Sequence, residues 1–282
     1  MSAAPALWRR FAEHRAALLA LCLLLLIVAA LFIGPWLSPH AVDSIDFDGD
    51  WATPPSLVNA HWFGTDSLGR DVFVRTLSGG RISLLVAFAA TCVSLLIGVT
   101  YGAVAGYFGG ALDGWMMRAV DILYALPFLF LVILLMVLFG RDLVLVFVAI
   151  GAINWLDMAR VVRGQVLALK QREFVMAAHT HGLGSAAILL QHIVPNLAGV
   201  VLVTVTLTIP QVILTESFLS FLGLGVQEPA TSWGTLINEG AREMEGTPWA
   251  LLFPASLMAL TLLCFNLIGD ALRDVLDPRD QP

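Results

Sequence analysis

The sequence predicts an all-α membrane protein with six transmembrane helices and both termini on the cytoplasmic side. Three observations carry that expectation. Hydrophobic residues fill 59% of the 282 positions and charged residues only 13%, where a soluble domain carries about a quarter; mean hydropathy is +0.86. Six apolar blocks approach or exceed the length needed to cross a bilayer, about 20 residues of helix. Lys and Arg divide unevenly between the intervening segments, ten against five, and the richer side is the cytoplasmic one.

Residues 16–33 are uncharged and follow Arg9, Arg10 and Arg15. A cleaved secretory signal has a shorter apolar core and an A-x-A site, and none precedes Gly34-Pro35, so this helix is expected to be retained. Residues 82–112 exceed one span, and their TYGAVAGYFGG end is expected to leave the membrane. Residues 122–140 form the third block. Residues 143–156 are short and are expected to continue helically through Ala159. Residues 197–224 are interrupted by Pro210 and Glu216, and residues 249–269 are the last block.

Inner segments then hold Arg9, Arg10, Arg15, Arg118, Arg160, Arg163, Lys170, Arg172, Arg273 and Arg279, and outer segments hold Arg70, Arg75, Arg81, Arg141 and Arg242. The expected organisation is a cytoplasmic segment 1–15, a first transmembrane helix 16–37 and an outer, periplasmic loop 38–81. A five-helix core follows at 82–272, with a cytoplasmic loop at about 160–196, and then a cytoplasmic tail 273–282. Trp8, Trp36, Trp62, Trp115, Trp155, Trp233 and Trp249 fall near span ends or in loops, as interfacial aromatics do.

A net charge of −6 argues against nucleic acid, which needs a basic stripe. Cys22, Cys92 and Cys264 all lie in apolar blocks and read as small hydrophobes rather than a disulfide framework. LSGGR (residues 77–81) looks like the signature loop of ABC-type ATPases. Such an ATPase also needs a phosphate-cradling G-x-x-x-x-G-K-[ST] loop, and the single lysine, Lys170, stands in LALKQ. His179 and His181 are two apart, on different helix faces, so with His192 they make a poor zinc set; no metal or catalytic residue is expected. Residues 267–270 (LIGD) lack the first glycine of an intramembrane aspartyl protease motif.

Ionisable groups within spans carry a functional reading by default. Arg118 with Asp121, and Asp270 with Arg273, stand at i, i+3 spacing and read as structural pairs. Glu216, beside Thr215 and Ser217, is deeper and is expected to face a pathway or a subunit interface. Asn266 is a buried polar candidate for the same role.

The polar stretch MAAHTHGLGSAAILLQHIVPN (residues 176–196) interrupts this apolar chain. Residues 173–181 can form about two helical turns, with Gly182 and Gly184 as stops. Ala177 and Ala178 leave a face without bulk, Ser185 caps a further short helix, and Pro195-Asn196 redirects the chain into the next span. A short small-faced helix across the inner membrane surface suits a helix-in-groove contact.

The same residues resemble the cytoplasmic motif of ABC importer permease subunits, E-A-A-x-x-x-G followed nine residues later by I-x-L-P. Here stand Met176-Ala177-Ala178, Gly182 and His192-Ile193-Val194-Pro195-Asn196. Met replaces the Glu, which removes any salt bridge from that position. His in place of Ile is a variant of the peptide-importer branch. HWFGTDSLGRD (61–71), MMRAVDIL, WLDMARVVRGQ, SFLSFLGLGVQEPATSWG (217–234) and FNLIGDALRDVLDPRD (265–280) extend the resemblance over nearly the whole chain, to permease C subunits of the dipeptide/oligopeptide branch.

That resemblance implies a type I ABC importer permease fold in a bacterial inner membrane. It implies a homologous permease B subunit, two cytoplasmic ATPase subunits that bind ATP and Mg, an extracytoplasmic peptide-binding protein and membrane lipid as partners. The chain itself would hold no cofactor. Glu173, Ala177, Ala178, Gly182, His192, Pro195 and Asn196 would form the ATPase-coupling surface. The likeness is greatest to the oligopeptide permease C subunit, so oligopeptides are the expected cargo; dipeptides, glutathione, nickel chelates or antimicrobial peptides stay open as alternatives. An ATP-independent transporter would leave the small-faced helix unexplained, and an intramembrane enzyme is disfavoured by the incomplete protease motif.

Overall fold

The computed structural model describes residues 4–45, 51–139, 143–228 and 230–276, and their regular elements are helices. In order these are α1 (Ala4–Glu13), α2 (Arg15–Leu37), α3 (Val72–Phe108), α4 (Gly110–Ala125), α5 (Phe128–Phe139), α6 (Leu143–Leu169), α7 (Glu173–Thr180), α8 (Ser185–Ile188), α9 (Val194–Phe221), α10 (Trp233–Arg242) and α11 (Pro248–Leu276). Four stretches are long and apolar enough to cross a bilayer: α2, α3, Ser185–Phe221 and α11. A fifth is available if α4 and Leu129–Phe139, bent by 82°, count as one span. Four to five of the six expected spans are thus found among the described residues. The bend falls at Pro127, where the preceding Leu126 is extended, as a residue before proline prefers.

Helix α3 is the axis of the fold. It begins at Val72 rather than near residue 82, because the Asp71 carboxylate accepts the Val74 N–H at 2.8 Å and caps it. Residues 72–81, expected in a loop, are therefore helical, and LSGGR is a packing device. A β-carbon at Gly80 would stand 2.6 Å from atoms of Leu31 and Trp233. The TYGAVAGYFGG segment continues the helix to Phe108. Chain reversal waits for Gly109 and Gly110, both in the left-handed region (φ +67° and +58°).

Gly98, Gly102 and Gly106 recur every four residues and line one face of α3. Side chains added there would meet α6: the Gly98 β-carbon 2.5 Å from the Met158 β-carbon, and that of Gly102 against the Ala159 carbonyl oxygen. In a bilayer, where burial of apolar surface drives association little, such close backbone approach is what holds helices together. Helix α6 itself runs to Leu169, beyond the expected end at Ala159.

Two prolines shape the neighbouring helices. Pro35 in α2 cannot donate to the Leu31 carbonyl. Arg81 donates instead, from Nε to Leu31 O at 2.5 Å and from Nη2 to Phe32 O at 2.7 Å. Pro195 does not redirect the chain as expected. It lies in a continuous helical stretch, Ser185–Phe221, entered through one π turn, Leu189–Ile193, where the Val194 N–H reaches the Leu189 carbonyl. The wider turn accommodates a residue that has no N–H and would crowd the preceding carbonyl.

Trp233 is also not at an interface. It is fully buried beside Leu31, Leu77, Val86 and Leu219, and its Nε1 donates to Thr76 O at 3.0 Å. Trp36 and Trp115 are exposed, at 84% and 70%.

Gly102→Ala should destabilise the chain by about 1–3 kcal/mol, the usual cost of overpacking. Gly164→Ala, where a β-carbon meets nothing within 4 Å, should be neutral or slightly stabilising. Thermal unfolding in detergent checks both; equal midpoints for the two variants would refute the packing argument.

Candidate functional site

Helix α3, about 55 Å of helix at 1.5 Å per residue, runs between two polar regions. At its end, Tyr107 is buried in a cluster with Val162 and Val166 of α6, Val175 and Ala178 of α7, and Ile188, Ile193 and Leu197. Lys170 Nζ donates to Tyr107 O at 2.5 Å and lies 5.5 Å from its ring. Tyr107 Oη lies 3.4 Å from His179 Nε2, with the two rings parallel. These contacts seat α7 against α3. The lone lysine was the only available signal for them, and Tyr107 gave none.

The two alanines separate. Ala178 is 4% exposed and belongs to the cluster, which corrects the expectation that it faces a partner. Ala177 is exposed, with Glu173, Phe174 and Met176 around it. Gly182 ends α7 in the left-handed region (φ +76°), where its N–H reaches His179 O and the Leu183 N–H reaches Ala178 O. Ser185 does not cap α8; Gly184 holds that position, without a side-chain bond. His192 is half-buried, Pro195 and Asn196 are exposed, and Asn196 Nδ2 donates to His192 O at 2.6 Å.

Glu216 faces neither a pathway nor an interface. It is fully buried, accepting from Ser83 Oγ on α3 at 2.9 Å and from Ser220 Oγ at 2.7 Å. Ser232 Oγ, which caps α10, donates onward to Ser220 Oγ at 3.2 Å, and Ser83 Oγ accepts the Trp233 N–H at 3.2 Å. Ser217 is buried beside it, donating to Met258 Sδ at 3.2 Å. The carboxylate therefore joins α3, α9 and α10. Periodicity alone could not show that the serines converge on it. Asn266 is exposed rather than buried.

The expected ion pairs also change partners. Asp121 pairs with Arg160 (2.7 Å) rather than with Arg118, whose guanidinium lies 5.8 Å from the Trp115 ring. Asp113 receives both Nε and Nη2 of Arg163, at 2.5 and 2.6 Å, a bridge between α4 and α6 that no local spacing announces. Asp270 and Arg273 are both exposed and form no ion pair with each other.

At the start of α3 the residues of HWFGTDSLGRD fold into a charge lattice. Arg70 meets Asp66 at 2.6 Å, Glu228 at 2.8 Å and Glu239 at 3.2 Å, and Arg75 meets Glu239 at 2.8 Å. Burial disfavours the Arg70 charge, but Asp66, Glu228 and Glu239 outweigh it and raise the guanidinium above its ordinary value. Beside the lattice lies a cavity of about 290 Å³ lined by Ser220, Gln227, Glu228, Asn238, Glu239 and Arg242.

Glu216→Ala should leave the Ser83 and Ser220 O–H donors without their buried acceptor, at about 1–3 kcal/mol each. Its unfolding midpoint in detergent should fall well below that of Glu216→Gln, which retains acceptor and volume. Indistinguishable midpoints would return Glu216 to a role outside the fold.

The model of the family described as binding-protein-dependent transport system inner membrane component matches residues 98–280. That of the N-terminal TM domain of oligopeptide transport permease C matches residues 6–55. The chain is 51% identical to the oligopeptide transport system permease protein OppC of Haemophilus influenzae, over 97% of the chain and 88% of that protein. It is 52% identical to OppC of Escherichia coli K12, over 97% and 90%. To the dipeptide transport system permease protein DppC of Bacillus subtilis it is 48% identical, over 96% and 84%. Matched across nearly its whole length, the chain belongs to the family of binding-protein-dependent transport system inner membrane components.

Proposed function

We propose that this chain is one of two permease subunits forming the membrane pathway of an ATP-driven importer of oligopeptides. The observation that carries the reading is the divided surface of α7. One face is held by Val175 and Ala178 against α3 and α6, while Phe174, Met176 and Ala177 are left exposed. A helix with that division receives force on one side and passes it to the bundle on the other.

In this reading the chain crosses the inner membrane six times, with α6 as the remaining span; its 27 residues give about 40 Å of helix. Both termini are cytoplasmic, residues 38–71 face outward with the start of α3, and the loop at about 160–196 faces inward. A B-type permease completes the pathway, two ATPase subunits bind ATP and Mg, and an outer binding protein delivers peptide. No ATPase site is assigned to this chain. Glu173, Ala177, Gly182, His192, Pro195 and Asn196 form the coupling surface, and Ala178 anchors it from within. Asn266, exposed on an apolar helix, is retained as a pathway or subunit-interface residue, whereas Glu216 and Ser217 are not.

ATP binding closes the ATPase pair and displaces α7. Because α7 is seated on α3, the displacement moves α3 and α6 as bodies and switches the pathway between inward and outward access. The 48% identity to a protein named as a dipeptide permease supports dipeptides as the second cargo class.

Cells lacking this chain should lose uptake of a labelled tri- to pentapeptide and regain it on restoration. Unchanged uptake, with no redundant system present, would move the cargo to dipeptides, glutathione or nickel chelates. Ala177→Glu should reduce uptake about tenfold, the effect of losing about 1.4 kcal/mol of contact, while leaving the detergent unfolding midpoint unchanged. Full uptake by a well-expressed Ala177→Glu chain would remove α7 from the coupling surface. Gly182→Asp should uncouple ATP hydrolysis from uptake, read as ATP turnover per peptide imported.

A further inference from the structure

We propose that His40, His61 and Asp71 form a binding site for a borderline divalent cation such as Zn²⁺. His40 follows the end of α2, His61 lies in the segment before α3, and Asp71 caps α3. The fold brings them together so that one ligand atom from each lies within 4.8 Å of the others. His61 and Asp71 are 3% and 1% exposed and His40 is half-buried. With Ser44, Ile45 and Gly69 they line a cavity of about 190 Å³, room for an ion and several waters at about 30 Å³ each.

Two nitrogens and one carboxylate oxygen with water in the remaining position is a donor set that suits Zn²⁺. Mg²⁺ and Ca²⁺ prefer oxygen throughout. His61 Nδ1 and Asp71 Oδ2 are 2.8 Å apart, and the ion replaces the proton they share. The second Asp71 oxygen keeps the Val74 N–H, so the cap of α3 survives ligation. The His40 ring stacks on His61 with centroids 4.1 Å apart and planes 18° apart, and it must turn to present its nitrogen to the ion. Its contact to Asn59 O is long, 3.4 Å, and does not prevent this. A purely structural pair would account for His61 and Asp71 together, but not for a second imidazole laid over them at the wall of a cavity. Loaded, the site would clamp the segment after α2 to the first turn of α3.

The test is a Zn²⁺ titration of the full-length chain, purified with its partner subunits through a tag free of histidine, stripped with EDTA and competed against a chromophoric chelator. Wild type should bind one more Zn²⁺ per chain than His40→Ala, or bind it about tenfold more tightly. His40→Gln should behave as His40→Ala. Equal uptake by wild type and His40→Ala would overturn the site. So would a loss that appears only in a His179→Ala/His181→Ala chain, altered at the opposite end of α3.

Discussion

Most polar groups that this chain takes into its apolar interior are met from within the chain, because hydrocarbon offers no partner; the buried hydroxyls of Thr76, Thr91 and Ser94 on α3 are exceptions. Glu216 shows the constraint at its strongest: one carboxylate, fully buried, is held by hydroxyls from α3 and from its own helix. The Leu31 carbonyl freed by Pro35 shows it again, answered by an arginine from α3. The Asp113–Arg163 pair extends the rule to charge. In each case one polar group ties two helices that apolar packing alone would leave free to slide.

The second organising fact is that α3 meets its neighbours at close range where side chains are absent, beside the apolar side chains of Leu77, Val86, Ala87 and Ala90 that it puts into the core. Gly79 and Gly80 admit Trp233, Leu236 and Leu31, and Gly98, Gly102 and Gly106 admit α6. The helix is therefore rigidly registered to its neighbours along its whole length, with a charge lattice at its start and the α7 seat at its end. A displacement at one end has few soft places in which to be absorbed, which is what rigid-body switching requires.

The helical class and the apolar blocks could be read directly from the residues, because composition and periodicity report burial in lipid without reference to tertiary structure. Helix limits were less accessible. Val72 begins α3 through a cap formed by Asp71, a local signal hidden inside a motif that looks like a loop. Pro195 reads as a turn, yet a π turn absorbs it. Partner choice was the least accessible: i, i+3 spacing nominated Arg118 for Asp121, while the fold supplies Arg160 from another helix. Glu216 was misassigned for the same reason, since a deep acid implies a partner but not that the partners are serines on α3 and α9.

The separation of Ala177 from Ala178 places two unrelated demands on adjacent codons. Position 178 answers to the interior, against Tyr107, Val166 and Val175, so a change there can be compensated only by substitutions elsewhere in this chain. Position 177 is exposed and carries no such interior constraint; under the proposed coupling role its suppressors would arise in a partner's gene. Neighbouring residues in one helical turn thus answer to different constraints, one set by the interior and one by the surface, and would be free to drift at different rates.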